Sequence, residues 1–354
     1  MRRFWVLLTA LVLGLQAGAV KVGVLLPLKE KAAMGQTLLE FYRGFLLAVD
    51  SVKHEGLSVD IYTLDPGTTV TGLEDVLSRG ALQDADVIFG PGMPAQVNAL
   101  ATYCQAHGIR MVMPFAMPCA QIGQNPYVFQ AALSQESLYP DVAQLVMENL
   151  ADANFVMLRS DEHNARGTAF QAYFQGQVKS FGLPHSVLSV NADDGGVETA
   201  MNVYRPNVVV LDSPTETALR SALSLLRRFR DTHPYYRVSL LGYPDWLNLV
   251  GRYGDDFHAF DAYVYSPFYS NLLSGRIVRF TQKFRQSFGV APSQTLPSAA
   301  MLGFDLGYRF LNGVNPMPLQ QDFDFRKVSE QGGEVNRFVQ LIHYGKNKLI
   351  QILR

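Results

Sequence analysis

The chain has 354 residues, of which 48% are hydrophobic and 17% are charged, so it can bury a large core and is long enough for two domains. Its formal net charge of -1 offers no electrostatic basis for binding nucleic acid. Its two cysteines, Cys104 and Cys119, are too few for a cysteine-rich zinc site. They fall near opposite ends of a predicted helix and strand, so we expect free thiols rather than a disulfide.

The amino terminus has the pattern of a secretory signal, which we assign to residues 1–19. Arg2 and Arg3 precede an apolar run from Phe4 to Leu15, and Ala17-Gly18-Ala19 offers a cleavage site. The apolar run is shorter than the roughly 20 residues that a spanning helix needs. We therefore expect export, removal of the signal, and no membrane insertion of the mature protein.

A strand, a turn, a helix and a second strand are predicted between Val87 and Phe115. Strand 87–89 leads into Gly90-Pro91-Gly92, and apolar residues then recur at helical spacing from Val97 to Cys104. Gly108 is placed to end that helix, and strand 109–113 follows. Such a βαβ unit implies a parallel sheet, whose ligands bind beyond the carboxyl ends of the strands.

The same alternation of strand and helix runs through most of the chain. Apolar runs predict strands at 21–26, 57–64, 127–131, 154–158, 186–190, 207–211, 238–242 and 261–265. Helices are predicted at 38–52, 73–82, 138–150, 168–181, 197–203, 215–231, 275–288 and 298–311, and a closing hairpin at 338–344 and 349–353. Strand 57–64 alternates polar and apolar residues, which favours a position near a sheet edge.

The alternation occurs twice, which predicts an α/β protein with two Rossmann-like lobes, parallel sheets and a hinge of several crossovers. We expect residues 20–131 and 270–330 in lobe 1, residues 132–269 in lobe 2, and closing strands at 331–354. Two lobes joined in this way enclose a cleft and can close on a ligand.

This succession of elements resembles the type I periplasmic binding proteins, particularly the branched-chain amino-acid-binding group. The resemblance depends on KVGVLLPL, FYRGFLLAVD, the stretch from Val87 to Phe115, YVFQAA, NVVVLDSP and VSLLGYPDW, in that order along the chain. The details are most similar to a divergent branch of bacterial envelope proteins, whose LysM repeats we do not expect here. The resemblance implies a periplasmic location, a small-molecule ligand, and a membrane transporter permease or envelope protein as partner.

The family's amino-acid binders usually carry Ser or Thr after the third and fourth strands, where hydroxyls hold the ligand carboxylate. Here those loops contain Gly92 and Met93 and, after the fourth strand, Ala116 and Met117. Neither loop offers a hydroxyl, and their prolines remove backbone donors. This departure argues against a free amino acid as the ligand.

Polar and aromatic residues at strand ends of the second lobe are further candidates for ligand contacts. Together they would suit a cationic, peptidic or sugar-bearing ligand. These candidates are Arg159, Asp161, Asp212, Ser213, Tyr243, Asp245, Trp246 and Tyr269, with Ser160, Ser266 and Phe268 beside them.

Several of these motifs also have a purely structural interpretation. Gly90-Pro91-Gly92 could cradle a ligand or form a tight turn, and it matches neither a dinucleotide fingerprint nor a phosphate-binding loop. Trp246 could stack on a ligand or pack in the core. Asp161-Glu162-His163 matches no zinc spacing and is typical of a solvated loop.

The sequence therefore predicts an exported solute-binding protein that closes on an amino-acid, peptide or cell-wall-derived ligand for an ABC-type transporter or sensor. The alternative is a non-transport envelope scaffold or peptidoglycan-associated interaction protein with the same fold. No cofactor or metal signature is present, and no nucleophile motif such as G-x-S-x-G indicates an enzyme.

Overall fold

The computed structural model describes residues 18–354 and contains two seven-stranded sheets. The predicted signal, residues 1–19, lies almost entirely outside the described residues. Among residues 18–354, no helix is both long and apolar enough to cross a bilayer.

The first sheet and its helices form the first lobe. Its strands lie in the order β11-β12-β5-β4-β3-β1-β2, all parallel except for the antiparallel pair β11 and β12. Val24, Phe89 and Val112 stand side by side across its buried centre. The strands are β1 (Val20–Leu25), β2 (Val59–Leu64), β3 (Val87–Phe89), β4 (Arg110–Met113), β5 (Val128–Gln130), β11 (Phe325–Lys327) and β12 (Glu334–Asn336). The helices are α1 (Ala33–His54), α2 (Val70–Ser78), α3 (Val97–His107), α9 (Gly275–Phe288) and α10 (Ala299–Asn312).

The second sheet and its helices form the second lobe. Its strands lie in the order β14-β13-β10-β9-β8-β6-β7, and β13 pairs antiparallel with both of its neighbours, β10 and β14. The strands are β6 (Asn154–Arg159), β7 (His185–Ser189), β8 (Asn207–Leu211), β9 (Val238–Gly242), β10 (Ala262–Ser266), β13 (Gln340–Tyr344) and β14 (Ile350–Leu353). The helices are α4 (Tyr139–Asn149), α5 (Ala165–Ser180), α6 (Asp194–Ala200), α7 (Glu216–Thr232) and α8 (Val250–Ala259).

The chain passes between the two sheets three times, between β5 and β6, between β10 and β11, and between β12 and β13. The predicted α/β class, the two parallel sheets and the several crossovers are therefore confirmed. Strand β2 lies at the edge of its sheet, as its alternating sequence predicts. Both cysteines are free and buried, and burial raises the pKa of Cys104 to about 12.

The observed elements depart from the predicted ones where the pattern is weak. Helix α1 begins at Ala33 rather than at residue 38 because Gly35 allows its first turn to approach the Glu30 carbonyl. Helix α8 was not predicted, although Val250, Tyr253 and Phe257 recur at helical spacing, because Gly251 and Gly254 are unfavourable inside a helix. The strands β11 and β12 were also not predicted, because their sequences, FRK and EVN, contain no apolar run.

Helices α1 and α10 pack so closely that their contact depends on glycine. A Cβ atom on Gly44 would lie 1.8 Å from the Ala300 carbonyl oxygen, and one on Gly303 would lie 2.0 Å from the Phe41 carbonyl oxygen. The backbones of α1 and α10 are therefore in direct contact at these glycines, with no room for a side chain. This contact fixes α10 against the helix that follows the first strand.

We expect Gly44→Ala to lower the free energy of unfolding by about 1–3 kcal/mol, because the added methyl group must push the two helices apart. Gly176→Ala is a matched control, since a Cβ at this position in α5 meets nothing within 4 Å. Helix propensity alone should make that variant about 0.5–1 kcal/mol more stable. Urea unfolding measures both, and equal effects would contradict the packing argument.

Candidate functional site

A cavity of about 300 Å³ lies between the two lobes. This volume is at the lower end of the range for small-molecule sites. The first lobe contributes Thr37, Phe115, Ala116, Ala299, Leu302 and Gln321. The second lobe contributes Leu138 and Pro244, the crossovers after β5 and β10 contribute Ala132, Leu133, Pro267 and Phe268, and Asn336 ends β12 where the third crossover begins. Both lobes and two of the three crossovers therefore border the cavity.

The topology explains why the cavity lies there. Ala116 follows β4 and Pro244 follows β9, so both belong to loops at the carboxyl ends of parallel strands. Ser298 caps α10 and accepts a hydrogen bond from the Met301 amide at 3.4 Å. The close contact of α1 with α10 brings Thr37 and Ala299 to the same wall.

The wall of the cavity is mostly apolar, with a few amide and hydroxyl groups. The Asn336 amide is fully engaged, since its Nδ2 donates to Ala131 at 3.1 Å and its Oδ1 accepts from the Asp324 amide at 2.9 Å. The Gln135 Oε1 atom is buried and has no hydrogen-bond partner in the described part of the chain. A buried amide oxygen of this kind calls for a donor from a bound molecule or water.

The four candidates in the first-lobe loops have different environments. Ala116 lines the cavity. Met117 is only 6% exposed, and its carbonyl accepts a hydrogen bond from the Gln130 side chain at 3.1 Å. Gly92 packs against the end of β1, where an added Cβ would lie 2.5 Å from Pro27, and Met93 is half-buried ahead of α3. Gly90-Pro91-Gly92 thus forms a packed strand-to-helix turn.

Tyr243 and Trp246 lie inside the second lobe, each with no exposed surface. The Trp246 Nε1 donates to the Pro214 carbonyl at 3.1 Å, and the indole stacks on Phe257 with ring centroids 5.7 Å apart. The Tyr243 hydroxyl donates to the Leu211 carbonyl at 2.6 Å, and burial raises its pKa well above the usual value. Trp246 therefore packs in the core of the second lobe, which is one of the two arrangements that the sequence allows.

Polar residues at the carboxyl ends of β6 and β8 form a hydrogen-bonded cluster on the second lobe. The Asp212 Oδ1 accepts from the Ser160 amide at 2.9 Å and from its hydroxyl at 2.7 Å. Ser213 donates to Glu162 at 3.3 Å. Arg159 and Asp161 border the same open depression. Four candidates are thereby brought together, on a surface separate from the walls of the interlobe cavity.

Asp245 and Tyr269 complete the set of candidate residues. The Arg166 guanidinium donates to the Asp245 carboxylate at 2.9 Å, so this acidic group already has a cationic partner. The Tyr269 backbone amide donates to the Gln320 carbonyl at 2.8 Å, and burial raises the pKa of its phenol. No cluster of His, Cys, Asp or Glu within residues 18–354, including Asp161-Glu162-His163, is arranged to hold a metal ion.

The residues that line the cavity were mostly missed by the sequence prediction, because they lie in crossovers and at the start of α10. Gln135, Ser298 and Gln321 are polar residues outside the predicted strand ends. One signal was present in the sequence, since Gln135 follows the strand that was predicted to leave the first lobe.

Asp305 in α10 supports the wall of the cavity from behind. Its carboxylate accepts hydrogen bonds from the amides of Leu319, Gln320 and Gln321, at 2.6, 2.9 and 3.0 Å. The residue is fully buried, and burial raises the pKa of its carboxyl to about 7, while the three amide donors act in the opposite direction. This interaction holds Gln321 at the cavity and Gln320 against Ser298, whose amide donates to the Gln320 side chain at 2.9 Å.

The raised pKa of Asp305 predicts a pH-dependent stability. Because the folded state holds the proton more tightly than the unfolded chain, this contribution is complete below about pH 4 and is lost as the pH rises through 7. From pH 5 to pH 8, wild type should lose on the order of 2 kcal/mol more than Asp305→Asn. Urea midpoints measure this difference. The exposed Asp152→Asn variant should keep the wild-type slope, and an unchanged slope in Asp305→Asn would contradict the prediction.

Comparison with solved structures reveals close architectural similarity at low sequence identity. A protein described as a branched-chain amino acid ABC transporter from Rhodospirillum rubrum aligns with a TM-score of 0.62 and 14% identity, over 94% of this chain and 99% of that one. A corresponding protein from Chromobacterium violaceum gives 0.59 and 15%, over 89% and 98%. A periplasmic ligand-binding protein of a Burkholderia xenovorans branched-chain amino acid ABC transporter gives 0.53 and 16%, over 95% and 94%.

Sequence comparison adds no closer relative, since no protein-family model and no curated protein matches the chain. The structural similarity extends over both lobes and nearly the full length of each of these solved structures. The sequence resemblance to these proteins is therefore confirmed at the level of architecture, and the chain has the type I periplasmic binding protein fold.

Proposed function

We propose that the chain is an exported solute-binding protein whose two lobes close on a small molecule in the interlobe cavity. The observation that carries this proposal is the position of the cavity, which is bordered by both lobes, by the crossovers after β5 and β10, and by Asn336 where the third crossover begins. A rotation about the crossovers would open and close such a site. The fold is shared with proteins described as transporter ligand-binding components, which supports the same role here.

The contents of the cleft favour binding over a scaffold role. A scaffold would be expected to fill its cleft with side chains such as Met93, Phe115 and Met117. Instead, Met117 is buried in the core of the first lobe, and Phe115 packs edge-on against Phe41 with ring centroids 5.5 Å apart. About 300 Å³ stays free beside Phe115.

A contact between the lobes suggests how the closed state is held. Asn248 of the second lobe binds Leu296 of the first in both directions, with its Nδ2 donating to the carbonyl at 2.7 Å and its Oδ1 accepting from the amide at 2.8 Å. The Leu296 side chain packs into the core of the second lobe. We call this contact the Asn248 clasp. It lies next to Pro297 and Ser298, which line the cavity.

The cellular role follows from the proposed export. A signal at residues 1–19 would place the mature protein in the periplasm, where a closed and loaded form would meet a transporter permease or a sensor. The ligand candidates carried over from the structural neighbours are branched-chain amino acids. Against a free amino acid stands the pairing of Asp245 with Arg166, which occupies an acidic group that could otherwise bind an ammonium.

The proposal is tested by a thermal-shift screen of the purified protein against amino acids, peptides, sugars and muropeptides. A ligand present at a hundred times its dissociation constant should stabilise the folded protein by about 2.7 kcal/mol. Ala116→Phe, which places a ring in the cavity, should abolish the shift. The exposed Ala120→Phe outside the cavity should leave it unchanged. The proposal fails if nothing in the panel binds, or if both variants bind as wild type does.

The Asn248 clasp makes a second prediction about the same ligand. Asn248→Ala removes two hydrogen bonds between the lobes, so ligand dissociation should accelerate by about tenfold if they hold the closed state. Asn149→Ala, which removes an exposed amide from α4, serves as the control and should leave the dissociation rate unchanged. Stopped-flow displacement measures both rates. Equal rates would show that the clasp does not secure closure.

A further inference from the structure

We infer that the ligand of the interlobe cavity is a neutral, mostly apolar molecule that carries a hydrogen-bond donor, such as a branched or aromatic amide or alcohol. This inference rests on the proposed function, because it names the chemical class that the same site would bind. It follows from the electrostatics of the cavity wall, its hydrogen-bonding groups and its size.

The wall of the cavity carries no charge. Among the residues that the structure describes, no Asp, Glu, Lys, Arg or His lines it. Four prolines at positions 114, 244, 267 and 297 contribute to the wall, and each lacks the backbone N–H that could bind an anion. A carboxylate or ammonium in this space would lose its hydration and gain no counter-charge.

Of the charged residues that neighbour lining residues in the chain, Asp245, Arg337 and Asp322 form ion pairs, and Glu136 is exposed rather than part of the cavity wall. Asp245, next to the lining residue Pro244, binds Arg166 at 2.9 Å. Arg337, next to the lining residue Asn336, binds Asp141 at 2.6 Å. Asp305, which holds Gln321 in place, is fully buried and surrounded by amide donors. None of these groups is placed to neutralise a charged ligand.

The polar atoms of the wall show where a ligand would be oriented. The Thr37 hydroxyl donates to the Ala33 carbonyl at 3.2 Å, and the Ser298 hydroxyl caps α10. Both groups of the Asn336 amide bind backbone atoms. The Gln135 Oε1 atom is buried without a hydrogen-bond partner in the described part of the chain, and Gln135 is a residue of the cavity wall. A ligand N–H or O–H at that point would satisfy it.

The volume limits the size of the ligand. About 300 Å³ accommodates about ten heavy atoms, at about 30 Å³ for each water-sized group. A branched aliphatic or a single aromatic ring with one amide or hydroxyl group fits that limit. The same isobutyl or benzyl group in a zwitterion would bring two unpaired charges into the cavity.

The test compares charge states on constant apolar groups, using isothermal titration of the purified protein. The isobutyl series is 4-methylpentanamide, 4-methylpentanoate, isoamylamine and leucine. The benzyl series is 3-phenylpropanamide, 3-phenylpropanoate, phenethylamine and phenylalanine. We expect at least one amide to bind about 100-fold more tightly than its three charged relatives. Gln135→Ala should weaken that amide about tenfold, whereas the exposed Gln144→Ala should not.

The other outcomes separate this inference from the proposed function. If a charged relative binds as tightly as the amide, the neutral class is wrong and solute binding stands. If neither series binds but the thermal-shift screen gives a ligand that Ala116→Phe excludes, the inference is overturned and the proposed function stands. If neither series binds and the thermal-shift screen is also negative, both the inference and the proposed function fail.

Discussion

Parallel strands cannot be joined by tight hairpins, and this constraint determines where the cavity between the two lobes can form. Each connection must return across the sheet, so the carboxyl ends of successive parallel strands lie at one edge. In this chain two such edges are held together by the three crossovers, and the cavity lies between them. The glycine contact between α1 and α10 then brings the start of α10 to the same edge. The packing of α1 against α10 therefore shapes one wall of the interlobe cavity.

The distribution of charge follows from the same arrangement. Polar groups gather at strand ends and helix starts, and most of these groups bind one another. Asp212 binds Ser160, Asp245 binds Arg166, and Asp305 binds backbone amides. Such pairing stabilises loops that carry few regular backbone hydrogen bonds. It also leaves the central cavity uncharged, because the ionisable side chains are directed into the lobes or toward other parts of the surface.

The fold was largely predictable from the sequence, whereas the cavity was not. Buried strands such as β8 and β9 can be predicted because they are apolar runs in the sequence. Helix α9 begins and ends where its pattern predicts. The cavity residues come from crossovers and from the start of α10, whose positions depend on contacts between distant parts of the chain. Trp246 shows the limit clearly. Its place after a strand allowed either ligand stacking or core packing. The indole packs in the core against Gly242, where an added Cβ would lie 2.0 Å from its ring. A glycine four residues earlier is compatible with either arrangement, so only the packed structure distinguishes them.

The departure from the amino-acid-binding pattern acquires a physical meaning in this setting. The loops after β3 and β4 lack hydroxyl groups, and prolines replace several backbone donors. Taken alone, these changes only remove a carboxylate site. Together with an uncharged wall and a paired Asp245, they describe a cleft in which both charges of an amino acid would be left without partners. A fold of this kind can be retained while ligand chemistry changes, because the sheets and crossovers depend on buried apolar residues and specificity depends on a few side chains at their edges.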